Sequence, residues 1–471
     1  MSDNKKVKRN LRAELGTAPV GSLMLRFSVP AIIAGIVSAT YNIIDQIFIG
    51  QWIGELGMAA TNIAFPLTTI TMGLSMLFGV GGASNFNLNM GRGKPELASK
   101  VAGNALVWMI LSGLIIVAIA FTFLRPLLYA FGATDAIMPY AVSYTSITTI
   151  GLPFHLFATS SSNLIRADGS PTYSMAVMLT GAIFHLISAP IFLLVFNMGI
   201  EGIALSTTIG QCLSFSVALY YILRKFKTVP IKREHLKIKI DITWLIVSIG
   251  AASCFNHIAM TVVQIVKSNT LRHYGALTIY GAEIPLAAVG AISKILLVMM
   301  VFIQGIAQGS QPINSYNYGA KNFARVKQTY KKAIFAATIV SVVAFLCLQL
   351  FPRQIMSIFG SDNELFYEFA IQYLRIFMLM TFINGVQPVT SNFFTAIGKG
   401  YMGFWMSLTR QILFLTPLLI FLPSIFGIEG IFWAGPIADA VAAALAIIFG
   451  YREMKKLTLL QQLEEENALD I

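Results

Sequence analysis

Charged residues are scarce in this chain. Only 11% of its 471 residues are charged and 56% are hydrophobic, whereas a soluble domain has roughly 25% charged residues. The composition therefore excludes an ordinary soluble fold. Apolar runs such as residues 106–124 and 334–350 are too long for core strands, and they predict membrane-spanning helices. They also lack the alternating pattern of an outer-membrane barrel.

Cysteine is scarce as well, and the signatures of several enzyme classes are missing. The three cysteines, Cys212, Cys254 and Cys347, all lie in apolar stretches, which excludes a disulfide framework and a cysteine metal site. The spans contain no HExxH or GxSxG motif and no paired catalytic acids. We therefore expect a protein that is not an enzyme and that uses neither a metal nor a cofactor. A channel or a receptor is disfavoured because neither requires two repeated halves.

The two halves of the sequence repeat each other. In each matching pair of motifs the second member lies 228 residues after the first (317 − 89 = 228, for example). The pairs are Asn89-Met90-Gly91 with Asn317-Tyr318-Gly319, Phe131-Gly132 with Phe359-Gly360, Gly199-Ile200-Glu201-Gly202 with Gly427-Ile428-Glu429-Gly430, and Arg224 with Arg452. The constant offset indicates that one ancestral half was duplicated in tandem. We therefore divide the chain into residues 1–240 and 241–471, since two such halves usually flank a central transport pathway.

Hydropathy predicts about twelve spanning helices, six in each half. Their approximate bounds are residues 22–49, 58–83, 97–124, 137–165, 171–197, 201–223, 243–266, 284–311, 326–351, 364–395, 401–423 and 429–450. The net charge is +12, and the basic residues concentrate in segments on the same side as the N-terminus. The opposite side holds only Arg125, Lys267, Arg272 and Arg353. The positive-inside rule therefore predicts two cytoplasmic termini, and this clustering argues against nucleic-acid binding.

Four stretches of the first half carry further motifs. They are Tyr41-Asn42-Ile43-Ile44-Asp45, Gly81-Gly82-Ala83, Asn89-Met90-Gly91-Arg92-Gly93 and Asn163-Leu164-Ile165-Arg166-Ala167-Asp168-Gly169. Together with the repeat and the number of spans, this order resembles the multidrug and toxic compound extrusion (MATE) transporters along nearly the whole chain. The resemblance implies an all-α membrane protein with two six-helix lobes around a central cleft that opens alternately inward and outward.

The resemblance also implies a mode of action. A proton or sodium gradient would drive the export of small amphipathic compounds, usually cations, across the cytoplasmic (inner) membrane of a bacterium. We expect a monomer, because each chain would carry its own cleft. Its partners would be the lipid bilayer and the small-molecule substrate.

Asp45 is the strongest candidate for binding the coupling ion. It lies deep in the first span among Ile43, Ile44 and Ile47. A carboxylate is costly at such a depth, so intramembrane acids usually face a cavity or a partner, and a low dielectric favours the protonated carboxyl. Tyr41, one helical turn earlier, is predicted to hydrogen-bond Asp45. The alternative is an acid paired with a neighbouring helix for packing alone, whereas the resemblance implies that this position binds the coupling ion.

The resemblance further implies which residues surround Asp45. DinF-like members carry an Asn and, four residues later, an Asp on the fifth span and a Thr on the sixth; these positions are His185, Ala189 and Thr207 here. Sodium requires several hard oxygen ligands, whereas an imidazole titrates near neutral pH. We therefore predict that Asp45 and His185 form a proton-exchanging pair, with Tyr41 and Thr207 as hydrogen-bonding neighbours. Sodium stays possible as the coupling ion, and the alternative for His185 is a purely structural hydrogen bond.

NorM-like members instead carry acids on the seventh and tenth spans. Here the seventh span offers Asn256, His257 and Gln264 and the tenth offers Asn384 and Gln387, none of which is a carboxylate. The chain is therefore closer to the DinF-like than to the NorM-like members.

Three basic residues, Lys294, Arg375 and Arg410, lie inside predicted spans of the second half. Either they snorkel or pair within that half, with Asp439 as the candidate partner, or they line the cleft, where positive walls would favour anionic or zwitterionic cargo. Lys294 is favoured for the cleft because several glutamines share its span at helical spacing. The predicted cleft residues are Asn163, Lys294, Gln304, Gln308, Asn384 and Gln387.

The leading interpretation is a secondary active exporter of small amphipathic organic compounds. Export would be coupled to proton influx, or less favourably to sodium influx, by alternating access. The alternative is a flippase or exporter of a lipid-linked or anionic metabolite, whose phosphates the intramembrane basic residues would bind.

Overall fold

The chain folds into long helices joined by short connections. A computed structural model describes residues 14–226, 228–358 and 363–469, and no strand occurs among them. Ten helices are long and apolar enough to span a membrane, and the bent pair Glu364–Phe377 and Thr381–Ala396 forms an eleventh span. Met138–Ala167, with 30 residues, completes the predicted twelve, since its serines and threonines lower its hydropathy without shortening it. The all-helical prediction is confirmed, and the number of long helices agrees with the predicted twelve spans.

Six spans precede the linker between the halves. They are α1 (Val20–Trp52), α2 (Glu55–Gly91), α3 (Pro95–Thr122), α4 (Met138–Ala167), α5 (Pro171–Pro190, extended by a π-helical Ile191–Val195) and α6 (Gly199–Tyr220, extended by a π-helical Tyr221–Lys225). A short helix, Leu124–Ala130, follows α3. The turn after α4 contains Gly169 with a φ of 81°, a backbone conformation that glycine adopts without steric cost.

Six further spans follow the linker. They are α7 (Ile240–Gly275), α8 (Glu283–Gly319), α9 (Phe323–Leu350), α10 (Glu364–Phe377 and Val386–Ala396), α11 (Gly400–Leu408, a π-helical Thr409–Leu415, and Thr416–Phe426) and α12 (Ile428–Leu469). A short helix, Pro352–Ser357, follows α9, and a 3-10 turn, Thr381–Ile383, separates the two pieces of α10.

The seventh span is longer than the sequence predicts. Hydropathy ends it near residue 266, which would place Lys267 in a loop, but α7 continues to Gly275. Basic side chains are favourable near the C-terminus of a helix, so Arg272 and His273 stabilise turns that lie beyond the apolar stretch. The assignment of Lys267 and Arg272 to a connecting segment is therefore wrong, and both residues belong to the helix itself.

The tenth span is broken, although hydropathy predicts one continuous helix. Its two pieces, which meet near Met378, are bent by 46°. Pro388 cannot donate the backbone hydrogen bond of a regular helix, and Gly385 is a weak helix former. The first piece ends at Phe377, and these two residues delay the regular α-helix of the second piece until Val386.

The helices form two compact units whose borders fall inside α1 and α7. The first unit contains Val29–His257 and the described residues before Pro19. The second contains Pro19–Ser28 and the described residues from Ile258 onward. The start of α1 thus packs within the second unit, and the first half of α7 packs within the first. The predicted division at residue 240 follows the sequence repeat and stays a prediction.

Glycines permit the start of α1 and the first half of α7 to pack closely against neighbouring helices. A Cβ on Gly250 of α7 would overlap the carbonyl group of Leu77 on α2, within the first unit. A Cβ on Gly309 of α8 would likewise overlap Ser28 of α1, within the second unit. Each contact brings one helix directly against the side of another, which larger residues would prevent.

The linker between α6 and α7 is fastened to the first unit by two buried side chains. Asn104 of α3 donates to the carbonyl of Lys237 (3.1 Å) and accepts from the amide of Lys239 (2.8 Å). Asp168, which is 1% exposed, accepts from the amide of Thr228 (2.9 Å). The linker is consequently a fixed part of the first unit and positions the start of α7.

Candidate functional site

Asp45 on α1 meets His185 on α5. Nε2 of His185 lies 3.0 Å from Oδ1 of Asp45, and the two side chains are 12% (Asp45) and 5% (His185) exposed. A carboxylate in such a place is stabilised only by a partner, which the N–H of the imidazole provides. The structure therefore brings together two residues, 140 positions apart, that the sequence predicts to act as a pair.

The opposite nitrogen of the imidazole faces two hydroxyl groups on α6. Nδ1 of His185 lies 3.1 Å from Oγ of Ser206 and 3.3 Å from Oγ1 of Thr207. The predicted neighbour Thr207 is therefore at the site, and Ser206 is an additional member that the sequence reasoning missed. One signal for Ser206 was available, because it directly precedes Thr207.

These hydroxyls can serve the imidazole in either protonation state. Thr207 donates its hydrogen to the carbonyl of Ile203 (3.0 Å), so its oxygen accepts when Nδ1 carries a proton. Ser188 donates to the carbonyl of Phe184 (2.8 Å), which leaves its oxygen to accept from Ser206 at 2.6 Å. The single hydrogen of Ser206 thus points to Nδ1 when the ring is neutral, and to Ser188 or to the backbone carbonyl of His185 (3.4 Å) when Nδ1 carries a proton.

Tyr41 contacts the pair through its ring. The centroids of the Tyr41 and His185 rings are 5.4 Å apart in an edge-on arrangement with an interplanar angle of 70°. The predicted hydrogen bond between Tyr41 and Asp45 is not formed among the described residues. Helical side chains lean toward the N-terminus, which directs the long Tyr41 side chain away from a residue one turn later.

Apolar side chains surround the next turn of α1 beyond Asp45. Ile49, Leu193 and Ile203 form a buried cluster, and Tyr144 packs against it. Gln46, the neighbour of Asp45, donates to the hydroxyl of Thr61 on α2 at 3.3 Å. The pair therefore lies between an apolar wall and a small polar contact, an environment with a low local dielectric.

The geometry also bears on the identity of the coupling ion. Ala189, which occupies the position of the family's second acid, is 3% exposed and presents only a methyl group. The hydroxyls of Ser206 and Thr207 are already engaged, the first with the imidazole of His185 and the second with the backbone carbonyl of Ile203. A bare sodium ion requires several hard oxygen ligands, whereas a proton requires only one acceptor, which His185 or Asp45 provides.

The predicted cleft residues occupy different settings in the two units. Asn163 of the first unit is 4% exposed, and its side-chain carbonyl accepts from Arg166 at 2.8 Å. In the second unit, Gln387 is buried and donates to the backbone carbonyl of Met406, and Asn384 is 8% exposed. The remaining three lie on α8, where Gln304 and Gln308 are half-buried and Lys294 is exposed. Their contact with substrate stays a prediction.

The three basic residues that the sequence places inside spans of the second half differ in their surroundings, and one of them is paired with an acid. Nε of Arg410 on α11 donates to Oδ1 of Asp439 on α12, which is the pairing that the sequence offered as one possibility. Arg375 is exposed near the end of the first piece of α10, and Lys294 is exposed on α8. Only Arg410 of the three therefore forms an ion pair within the described part of the chain.

Comparisons with known proteins agree with this architecture. The MatE family model matches residues 30–191 and 252–421. The multidrug export protein MepA of Staphylococcus aureus (strain MRSA252) is 24% identical over 442 residues, which cover 94% of this chain and 96% of the relative.

Solved structures share the fold over nearly their whole length. The MATE multidrug transporter DinF-BH, solved in complex with rhodamine 6G, has a TM-score of 0.85 and 32% identity, with 93% of this chain and 96% of that chain covered. A MOP superfamily transporter from Pyrococcus furiosus Vc1, described as having reversed polarity of its binding pocket, has a TM-score of 0.87 and 21% identity, with 95% and 98% covered. With the family model matching most of its length, the chain belongs to the MatE family of membrane transporters.

Proposed function

We propose that this MATE transporter exports small amphipathic organic compounds and couples their export to proton influx by alternating access. The observation that carries the proposal is the contact between Asp45 and His185, in which one carboxylate and one imidazole share a site sheltered from water. The names of two similar proteins support the cargo class: MepA is a multidrug export protein, and DinF-BH is a multidrug transporter that was solved in complex with rhodamine 6G.

Protons, and not sodium ions, are the coupling species in this proposal. A histidine is the side chain whose ordinary titration range lies closest to physiological pH. The carboxylate of Asp45 adds a second protonatable oxygen within hydrogen-bond distance. The methyl group of Ala189 removes an oxygen that a sodium site would use.

Proton binding at this site would act on the contact between α1 and α5. A first proton on Nδ1 makes the imidazole a cation beside the Asp45 carboxylate, and Thr207 accepts the new N–H. A second proton neutralises Asp45 and removes the ionic attraction that holds α1 against α5. Release of the Asp45 proton restores the ion pair, and release of the imidazole proton leaves the hydrogen bond between the neutral imidazole and the carboxylate, so the doubly protonated state favours a different position of α1 from the other two.

The setting of the transporter is part of the same proposal. We place it in the bacterial cytoplasmic (inner) membrane as a monomer with both termini in the cytoplasm, and it requires neither a metal nor an organic cofactor. The basic residues that follow α2, Arg92 and Lys94, and those in the linker support this orientation.

The proposal is tested by ethidium efflux from proteoliposomes, with a pH gradient or a sodium gradient imposed separately. We expect efflux under the pH gradient alone, and Asp45→Asn should abolish it because the variant cannot cycle between a carboxylate and a carboxylic acid. Asp135→Asn is the matched control, since Asp135 is an exposed acid bonded only to Tyr129 at 2.8 Å. Efflux driven by sodium alone, or unchanged pH-driven efflux in Asp45→Asn, would contradict proton coupling at this site.

A further inference from the structure

A second group of charged side chains lies inside the second unit, on helices that do not carry the Asp45 site. Arg410 belongs to the π-helical turn of α11, Asp439 to α12 and Lys267 to α7. The Arg410 and Asp439 side chains are 18% and 2% exposed. Lys267 is half-buried and lies close enough to Arg410 for the two positive charges to repel each other.

Packing independently places these three helices together. Val263 and Leu271, which flank Lys267 on α7, belong to one buried cluster with Leu415 of α11 and Ala438 of α12. Lys267 lies one helical turn from each of Val263 and Leu271, so it is on the side of α7 that faces the cluster. The fold therefore brings Lys267 to the same part of the second unit as Arg410, without a mutual attraction between the two cations.

The group contains two cations and one acid. Asp439 engages Arg410, and in the described part of the chain no acid lies within 4.0 Å of the Lys267 nitrogen. The guanidinium has five N–H donors, and Asp439 uses the one on Nε. Among the described residues the N–H groups on Nη1 and Nη2 find no protein acceptor, so they are available to a ligand.

Two cations with only one acid inside a membrane protein are energetically unfavourable unless an anionic group binds to them. Charges inside a membrane protein are tolerated when they are paired or when they serve a ligand, and here one positive charge is in excess. Arginine presents a planar fork that matches the two oxygens of a carboxylate, and a neighbouring lysine adds a point charge. Asp439 orients the fork by holding its Nε edge.

We propose that Lys267 and Arg410 form a binding site for a carboxylate group of the cargo, so that the preferred cargo is an amphipathic organic acid or zwitterion. The site deepens the proposed function and rests on it, because it narrows the class of exported compound. Asp439 is a positioning residue that does not touch the ligand. A lipid headgroup phosphate presents similar anionic oxygens, and the experiment must separate these two sources.

Two dyes that differ only at one group provide the test. Rhodamine 6G is an ethyl ester and a cation, and hydrolysis of the ester gives a zwitterionic free acid with the same ring system. Binding of each dye is measured by fluorescence anisotropy to the full-length protein in phosphatidylcholine nanodiscs, without any ion gradient. The variants are Lys267→Gln and, as the matched control, Lys331→Gln, since Lys331 is an exposed lysine on α9.

We expect wild type and Lys331→Gln to bind the free acid about tenfold more tightly than the ester, which corresponds to about 1.4 kcal/mol. Lys267→Gln should lose most of this preference, with unchanged affinity for the ester as the sign that the variant is folded. Equal binding of the two dyes by wild type, or an undiminished preference in Lys267→Gln, would overturn the proposal. Loss of the wild-type preference in nanodiscs containing phosphatidylglycerol would assign the site to a lipid phosphate and also overturn it.

The two proposals fail separately. Because the binding measurement uses no gradient, a negative result leaves proton coupling at Asp45 untouched. Conversely, an absence of pH-driven efflux in the wild-type protein would leave the measured preference for the free acid in place.

Discussion

The hydroxyl oxygens of Ser188 and Ser206 lie 2.6 Å apart and join α5 to α6 directly behind the imidazole of His185. Because Ser188 gives its hydrogen to the carbonyl of Phe184, the hydrogen of Ser206 goes to Nδ1 of His185, to Ser188 or to the backbone carbonyl of His185. The orientation of one hydroxyl therefore follows the protonation state of the imidazole. This relationship makes the neighbours of His185, and not only Asp45, accessible to experiment.

Ser206→Ala should move the pH dependence of transport to higher pH. The variant removes the hydroxyl that donates to a neutral Nδ1, while the Thr207 oxygen still accepts from a protonated one, so the charged ring gains relative stability. A hydrogen bond contributes about 0.5–1.5 kcal/mol, and about 1.36 kcal/mol corresponds to one pH unit, so the midpoint should rise by up to about one unit. The measurement is the initial rate of pH-driven ethidium efflux between about pH 5 and 9, the range around the ordinary histidine titration.

Ser216→Ala is the control on the same helix. Its hydroxyl is exposed and donates only to the carbonyl of Cys212 at 2.8 Å, so its pH profile should match wild type. A midpoint that moves equally in both variants, or that falls in Ser206→Ala, would remove Ser206 from the proton site.

His185 and Ala189 stand where DinF-like members carry Asn and Asp, and restoring those two residues should make the stability of the protein depend on sodium. His185→Asn combined with Ala189→Asp returns an amide oxygen and a second carboxylate to the surroundings of Asp45. Two unpaired carboxylates in a buried place repel each other unless a cation lies between them, so sodium should stabilise the double variant. We expect its melting temperature to rise in sodium chloride relative to choline chloride, whereas wild type should show equal values. An equal melting temperature of the double variant in both salts would contradict this assignment of the two positions.

The ion pair of Arg410 and Asp439 should respond asymmetrically to its two single substitutions. Asp439→Asn leaves Arg410 and Lys267 without an acid and should cost about 3–5 kcal/mol of stability, the range for breaking a buried pair. Arg410→Met should cost less, because it removes one positive charge from a group in which positive charge is in excess. The double variant Arg410→Met/Asp439→Leu should be more stable than Asp439→Asn, since apolar replacements of buried pairs are often neutral. Melting temperatures in one detergent give the order, and a larger loss for Arg410→Met than for Asp439→Asn would contradict the excess of positive charge.

A methyl group on Gly250 should disturb the packing of α7 against α2. The added Cβ would overlap the backbone carbonyl of Leu77, which cannot rotate away as a side chain could, and overpacking of this kind costs about 1–3 kcal/mol or more. Gly290→Ala on α8 is the matched substitution, because a Cβ there meets no atom within 4 Å, and replacing a helical glycine by alanine gains about 0.5–1 kcal/mol. The two variants should therefore shift the melting temperature in opposite directions, and a shift in the same direction would refute the close approach.

Some parts of the site could be read from the sequence for a clear physical reason. An aspartate among isoleucines is rare enough to attract attention, and His185 stands where the resemblance places a ligand, so the pair was predictable. Ser188 and Ser206 gave little signal, because hydroxyls in these helices commonly donate to a carbonyl four residues earlier, as Thr71 does to Leu67 at 2.8 Å. The sequence therefore does not distinguish a hydroxyl that contacts His185 from one that bonds only to the backbone of its own helix.

Other features escaped prediction because they depend on distant parts of the chain or on local backbone geometry. Asn104 bonds the linker at Lys239, 135 positions away, and no spacing rule connects such residues. The bend of α10 lies between Phe377 and Thr381, whereas hydropathy records only that the stretch is apolar. The sequence also places Lys267 outside the seventh span, because a charged residue after an apolar run predicts the end of a span. Hydropathy does not reveal that the helix continues beyond the apolar run.

The start of α1 packs within the second unit and the first half of α7 packs within the first unit. Neither half of the sequence therefore contains all the helix segments of one unit. A fragment that ends at residue 240 would lack most of the first half of α7, which completes the packing of α2 through Gly250 and Leu77. A fragment that starts at residue 241 would lack Pro19–Ser28, against which Gly309 of α8 is packed. Each half thus supplies a helix segment to the unit formed mainly by the other, so that α2 lacks its packing partner at Leu77 until α7 has been synthesised.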